Sequence, residues 1–232
     1  VSFGNANLGS SRNQKLQLMY MLVTSKFTLQ LIPSYSFTNN GIVRILYEQN
    51  RKDVSTYQNV LKSKNFGILS YTEWTPFTGT SFTLNAFMSY ARITLPTPST
   101  KNSGCGGDIY FNWEQKLPWD LTLTTGIGGK YGNRIYDPYA IEGHWFFYEF
   151  TLTRRFFKDK LTVSLSAESP FIKERSSTYR IVRGDYTGYE RSVMKPKCFG
   201  IRLSWNFGKL KASVKKAERS IQNDDLVGGG KK

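Results

Sequence analysis

The residue types that carry out acid–base, nucleophilic or metal chemistry are scarce in this chain of 232 residues. It has one histidine, His144, and two cysteines, Cys105 and Cys198, and none of them has metal-ligand spacing or a companion catalytic motif. The glycine-rich stretch 126–129 resembles a phosphate loop only in composition, since no Lys-Ser/Thr pair or helix start follows it. We therefore expect no enzyme, no metal and no cofactor, and the cysteines to remain unpaired.

Three charged residues on successive predicted strands are better candidates for a functional site. Glu149 and Glu168 each lie seven residues from the ends of their shared hairpin, at Phe156 and Leu161, so they should face each other. Arg202 on the next strand would relieve the repulsion between the two carboxylates. The sequence leaves two interpretations open: a structural network that holds the wall, and direct contact with a substrate.

A basic and aromatic stretch at 172–194 is predicted to be a long exposed loop. Its arginines and tyrosines suit an anionic or sugar ligand, through bidentate pairs and ring faces, but they would equally meet an anionic lipid surface without specific geometry. The candidate residues are Arg175, Tyr179, Arg180, Arg183, Tyr186, Tyr189 and Arg191.

The net charge of +15, from 32 Lys and Arg against 17 Asp and Glu, makes nucleic acid the first partner to consider. The excess is spread along the chain, and no single basic face with interleaved stacking aromatics emerges. We therefore expect no nucleic-acid partner.

The elements that would position these residues are β-strands with one apolar face. In the clearest example Leu161, Val163, Leu165 and Ala167 alternate with polar residues, which is the period of a strand. About nine such strands can be placed, each long enough for the roughly 9 to 11 residues that a membrane strand needs. They cover 14–23, 27–48, 54–74, 80–93, 104–116, 119–131, 145–156, 161–169 and 198–207.

The lengths of the connections and the aromatic content both favour an outer-membrane barrel. Such barrels have short periplasmic turns, longer extracellular loops and aromatic girdles at both edges of the bilayer. Phe, Tyr and Trp number 16, 14 and 5 here, and the longest apolar run, Leu18 to Val23, is far too short for a membrane helix. Short connections at 24–26, 75–79, 117–118 and 157–160 alternate with longer ones at 94–103, 132–142 and 172–194.

Short motifs also carry a resemblance to a known family. Phe3-Gly4-Asn5-Ala6-Asn7-Leu8 before the first strand, Tyr35-Ser36-Phe37-Thr38-Asn39-Asn40 leading into Gly41-Ile42-Val43, and the ending Leu203-Ser204-Trp205-Asn206-Phe207-Gly208-Lys209 lie along nearly the whole chain. They resemble the C-terminal barrel part of Bacteroidetes outer-membrane proteins of the TonB-dependent receptor type. The family usually has Asn-Pro-x-Leu where this chain has Asn5-Ala6-Asn7-Leu8.

The resemblance implies a fold, a location and a set of partners. The expected fold class is all-β, an antiparallel transmembrane barrel portion at 1–207. Because about nine strands is an odd number, the sequence itself predicts that this portion is open as a fragment, and Phe207, which looks like the last girdle residue of a descending strand, places the basic tail at 208–232 in the periplasm. The implied partners are outer-membrane lipid and lipopolysaccharide, the N-terminal barrel and plug of the same chain, and the TonB complex. The implied function is binding and import of an iron chelate, a cofactor or an oligosaccharide. The alternative is a structural or adhesion barrel that transports nothing.

Overall fold

The chain is built from antiparallel β-strands. The structure, a computed structural model, describes residues 2–49, 52–96, 99–183 and 186–207, and it contains no helix within them. The predicted periplasmic tail, 208–232, lies outside the described residues. The strands are β1 (Arg12–Gln17), β2 (Tyr20–Val23), β3 (Phe27–Gln49), β4 (Lys52–Trp74), β5 (Thr80–Leu95), β6 (Thr100–Leu117), β7 (Leu121–Gly132), β8 (Arg134–Asp137), β9 (Ala140–Glu142), β10 (Trp145–Phe156), β11 (Leu161–Glu168), β12 (Arg175–Arg183), β13 (Tyr186–Met194) and β14 (Cys198–Trp205).

Ten of these strands form one large sheet in the order β1-β3-β4-β5-β6-β7-β10-β11-β14, with β2 beside β1 on β3. The sheet follows the nine predicted strands, except that the first is interrupted at Leu18 and Met19. The interruption lies opposite Pro33 of β3, which accepts a hydrogen bond from the Leu18 N–H at 3.1 Å but has no N–H to return.

The large sheet has one apolar and one polar face, because successive side chains point to opposite sides of a strand. Phe199, Ile201 and Leu203 of β14 are 70% exposed or more, and their partners on β11 continue the same apolar face. The polar face carries serine, threonine, asparagine and the strand carboxylates. We call the two surfaces the apolar face and the polar face.

Two rows of aromatic residues cross the apolar face. Phe27, Trp74, Phe82 and Trp113 lie in register near the short turns, and Tyr35, Phe66 and Tyr90 lie in register toward the other end. Trp74 and Phe66 are eight residues apart, which is roughly 27 Å along a strand. At a barrel tilt of about 40° this corresponds to about 20 Å along the membrane normal, close to the height of an outer-membrane apolar band.

Short turns connect the strands at the end near Trp74, as predicted. Trp119 and Asp120, and Phe157 to Asp159, adopt positive φ in two of these turns, which tight hairpin connections require.

The longer connections at the opposite end differ from the prediction. The loop predicted at 94–103 is much shorter, because β5 continues to Leu95 and β6 begins at Thr100. The stretch 132–142 contains β8 and β9. The prediction of a loop at 172–194 is wrong, because this stretch forms the hairpin of β12 and β13.

The four strands at this end form a second sheet, in the order β13-β12-β9-β8, which packs on the polar face of the first. Ile135 of β8 packs with Ala91 and Ile93 of β5, and Tyr139 packs with Leu95 and Ile45. Gly104 permits this close approach, since a Cβ there would collide with the carbonyl oxygen of Asn133. The two buried hydrophobic clusters of the described residues lie in this region.

The large sheet is not closed, as the sequence predicted. Strand β1 pairs with β3 and β14 pairs with β11, and no ladder joins 12–23 to 198–205 in the described chain. The sheet therefore presents two edges whose backbone donors and acceptors have no strand beside them.

The contrast between the two faces gives a stability prediction. Leu165→Arg puts a charge near the middle of the apolar face and should lower the free energy of unfolding in lipid by about 2–4 kcal/mol. Ser166→Arg, one residue along on the polar face beside Glu149 and Glu168, is the matched control and should cost less than about 1 kcal/mol. Denaturant titration in lipid vesicles measures both, and equal losses would contradict the assignment of the faces.

Candidate functional site

Two carboxylates face each other on the polar face. The antiparallel register of β10 and β11 places Glu149 directly opposite Glu168, as the hairpin arithmetic predicted. Like charges opposite each other destabilise a sheet, so this arrangement needs compensating donors.

The compensating cation is Arg175 and not the predicted Arg202. Arg202 lies opposite Ser164, four residues along β14 from Cys198, which is the residue in register with Glu168. Arg175 begins β12 and places its Nη2 3.4 Å from the Glu168 Oε1. The Glu168 side chain is 45% exposed, so water weakens this ion pair. The Arg175 side chain is only 13% exposed, because it is packed between the two sheets.

Arg175 also ties the second sheet to the first. Its guanidinium carbon lies 5.2 Å from the centre of the Trp145 ring, and its Nη2 lies 3.5 Å from the Oγ of Ser169, a fully buried residue. A planar guanidinium suits such a position, since it donates in its own plane and stacks on a ring at the same time. The arginine thus fixes where β12 leaves the wall.

The second donor to the carboxylates is Tyr110, which reaches across a glycine. The Tyr110 hydroxyl on β6 donates to the Glu149 Oε1 on β10 at 2.8 Å, over the intervening strand β7. It can do so because β7 has Gly126 there: a Cβ on that residue would lie 2.7 Å from the Tyr110 oxygen and 2.8 Å from the Glu149 Oε1. Gly126 therefore permits the hydrogen bond, and Gly128, where a Cβ would meet the rings of Tyr110 and Phe147, permits the ring packing beside it.

Aromatic rings continue the same surface. The rings of Tyr110 and Phe147 stack with centroids 6.0 Å apart, and those of Trp145 and Phe147 lie 5.8 Å apart. These rings and the two carboxylates form a contiguous surface, which we call the aromatic–acidic platform (Tyr110, Trp145, Phe147, Glu149, Glu168 and Arg175).

A shallow cavity of about 260 Å³ opens beside the platform. Asp108 and Lys130, which lie opposite each other on β6 and β7, supply both signs of charge at its wall. Flat rings with charged hydrogen-bonding groups at their border can hold a ligand that has apolar faces and polar edges. The lining residues are Leu69, Asn85, Ala86, Phe87, Asp108, Ile109, Tyr110, Gly129, Lys130, Trp145 and Phe147.

The seven candidates at 172–194 fall into different environments. Arg175 points into the platform, whereas Arg180 lies opposite Tyr189 and shares an exposed face of the hairpin with Arg191. Tyr179 lies on the other face, the side of Ile181, which packs against the buried cluster. The side chains of Arg183 and Tyr186 lie outside the described part of the chain.

The remaining sequence candidates have simple surroundings. His144 is exposed and lines a second cavity of about 380 Å³, which Trp145 and Arg175 of the platform also line. No cluster of three metal-ligating side chains occurs among the described residues. Cys105 and Cys198 are free thiols.

Sequence reasoning missed Tyr110, Trp145 and Phe147 as site residues. The signal was present, since Trp145 and Phe147 occupy polar-face positions in the alternation of β10, where a large apolar ring is unexpected. Their partner Tyr110 is remote in sequence, and only the strand register connects it to them.

Comparisons with known proteins agree with this architecture. A family model described as "Outer membrane protein beta-barrel family" matches residues 1–205. No curated protein and no solved structure matches the chain. The described part of the chain has no helix long and apolar enough to cross a membrane.

The packing over Gly126 gives a testable prediction. Gly126→Ala should force Tyr110 and Glu149 apart and lower the free energy of unfolding by about 0.5–1.5 kcal/mol, the net contribution of one hydrogen bond, since both side chains are only half-buried. Gly4→Ala is the control, since nothing lies within 4 Å of the added Cβ. In a Tyr110→Phe background the cost of Gly126→Ala should fall, and a purely additive double-mutant cycle would contradict the proposed contact.

Proposed function

The chain belongs to the outer membrane protein β-barrel family, and from that premise we propose that it forms part of the wall of a transport barrel. In this proposal the polar face lines the lumen and the aromatic–acidic platform binds a scarce nutrient on its way across the outer membrane. The nutrient is an iron chelate, a cofactor or an oligosaccharide. The chemistry is binding and gating, without a covalent step.

The platform is the observation that carries the proposal. In a purely structural barrel, large aromatic rings on the water-facing side of the wall would not increase stability, because apolar surface exposed to water is unfavourable. Trp145, Phe147 and Tyr110 are placed there beside charged groups, which is how sites combine apolar contact with orientation.

The second sheet supports a gated pathway. It covers the polar face at the end opposite the short turns, and Arg175 connects it directly to the platform. A ligand entering from that end would pass the hairpin of β12 and β13 before reaching the rings. The exposed Arg180, Tyr189 and Arg191 on that hairpin would meet either the incoming ligand or the lipopolysaccharide around the barrel.

The open edges support a larger assembly of the TonB-dependent receptor type. Within hydrocarbon an unpaired sheet edge leaves several polar groups unsatisfied, so β1 and β14 each need a strand beside them, which this proposal assigns to further strands of the same barrel. The receptor type would supply them, together with a plug that fills the lumen and a segment that contacts the TonB complex. A structural or adhesion barrel would also supply strands, and ligand binding separates the two.

Ligand binding is tested by replacing one tryptophan on each face of the sheet, Trp145 on the polar face and Trp113 on the apolar face. Ferric citrate, cobalamin and maltoheptaose probe the three nutrient classes in calorimetric titrations of the full-length protein. We expect one of them to bind, and Trp145→Leu to weaken that binding by about tenfold through the loss of one stacking contact. Trp113→Leu, on the apolar face, is the control and should bind as the unsubstituted protein does.

Failure to bind any probe, or equal loss in both variants, would contradict a binding role for the platform. A deletion strain can also be grown with each probe as the sole source of iron, of the cofactor or of carbon. Normal growth on all three, combined with a loss of surface attachment, would favour the adhesion alternative.

The orientation of the wall is tested with single cysteines. In a Cys105→Ser/Cys198→Ser background, Lys173→Cys lies in the connection between β11 and β12, and Lys158→Cys lies in the short turn after β10. Long connections are extracellular in this class of barrel, so a membrane-impermeant maleimide should label Lys173→Cys on intact cells. It should label Lys158→Cys only after the outer membrane is permeabilised, and the opposite pattern would reverse the topology and place the tail outside.

A further inference from the structure

A basic groove opens on the apolar face, just beyond the row of Tyr35, Phe66 and Tyr90. Its volume is about 590 Å³, and Lys62, Lys64 and Arg92 line it with Tyr35, Phe37, Asn39, Ser63 and Thr94. Lys64 of β4 lies between Phe37 and Arg92 in one row of the register, and Lys62 lies opposite Thr94 in the next. Three cations thus converge from two adjacent strands onto one depression in the wall.

The groove is formed by a local irregularity of β3. The register of β3 and β4 shifts between Thr38 and Gly41, and Asn40 in this bulge has φ of 62°. The Asn59 side chain holds the bulge by donating to the Asn40 carbonyl oxygen at 3.3 Å. A bulge bends its strand and redirects the neighbouring side chains, which accounts for a depression in an otherwise even wall.

The cations of the groove have no anionic partner among the residues that the structure describes. All three are exposed, and none has an ion pair with a carboxylate of the described residues. The carboxylates of the wall segments around the groove all lie on the polar face of the sheet, away from the three cations. These segments are 62–74, 80–95, 100–117, 121–132, 145–156 and 161–168. The groove therefore presents concentrated positive charge where the wall meets its surroundings.

The position of the groove along the membrane normal indicates which part of the bilayer it contacts. Lys64 is ten residues from Trp74, or roughly 33 Å along the strand and about 25 Å along the membrane normal at a tilt of about 40°. This equals the height of the apolar band, so the groove lies at the headgroups of the leaflet on the long-connection side. Lys and Arg at that level bind anionic headgroups.

We propose that this groove binds a phosphate group of the anionic glycolipid of the outer leaflet, lipid A. The rings of Tyr35 and Phe37 contact the acyl chains or the sugar, while Lys62, Lys64 and Arg92 surround the phosphate, an anion that arginine and lysine hold by charge-assisted hydrogen bonds. The glycolipid thereby fixes the wall at one depth and one rotation in its leaflet. This site is distinct from the hairpin of β12 and β13 and does not depend on a transport function.

Native mass spectrometry of the full-length protein with added lipid A tests the proposal. The triple variant Lys62→Gln/Lys64→Gln/Arg92→Gln should bind phosphorylated lipid A at least about tenfold more weakly than the unsubstituted protein. The matched control, Arg154→Gln/Lys158→Gln/Lys160→Gln, removes the same charge near the opposite edge of the wall and should leave the affinity unchanged. Heat-dependent gel mobility confirms that each variant is folded.

Two further probes identify the source of the phosphate. Dephosphorylated lipid A should bind as weakly to the unsubstituted protein as phosphorylated lipid A binds to the triple variant, and millimolar inorganic phosphate should not displace the lipid. Equal binding of both lipids, complete displacement by inorganic phosphate, or equal loss in both triple variants would overturn the proposal. If the groove variant does not fold, Lys64→Gln alone should still weaken binding about two- to threefold, and an unchanged affinity would overturn the proposal.

Discussion

Every backbone N–H and C=O inside a hydrocarbon layer must find its partner within the protein, and the rest of this structure follows from that requirement. Long antiparallel strands satisfy it along their length, and because side chains alternate across a strand, the same ladder creates one face for lipid and one for water. The requirement also explains the weak points of the sheet. The ladder is interrupted where Pro33 has no N–H, and it ends unpaired at β1 and β14. Such edges are stable only beside further strands.

The separation of charge between the two faces is the second consequence. A carboxylate on the lipid side would repel the phosphates of an outer leaflet and lose its hydration, whereas on the lumen side it remains wet. The wall accordingly places Asp108, Glu149 and Glu168 on the polar face and gives the apolar face cations near its margins. On the wet side two carboxylates can lie opposite each other, provided that their mutual repulsion is relieved. Tyr110 and Arg175 relieve it, one through a glycine gap and the other from a different sheet.

The sequence predicted whatever depends on local periodicity. The alternation at 161–168 identified the strand and its faces, and counting back from a short hairpin placed Glu149 opposite Glu168 correctly. The same counting gave the wrong partner for Arg202. The long connection from 169 to 197 separates β11 from β14, so the register of these two strands cannot be counted along the chain. The strands at 175–183 and 186–194 were predicted as loop because they pack over the large sheet, where charges and tyrosines hide the two-residue period. Tyr110 was missed because a contact across an intervening strand leaves no trace in sequence spacing.

The second sheet changes what the wall can do. A bare barrel wall holds its lumen residues at fixed positions, and a ligand passing through meets them in a fixed order. Here Arg175 belongs to β12 but balances a carboxylate of β11 and covers Trp145 of β10. Any displacement of the β12–β13 hairpin away from the wall would uncover the tryptophan ring and leave Glu149 and Glu168 facing each other without their cation. The position of the hairpin and the surroundings of the platform are therefore linked through one guanidinium group.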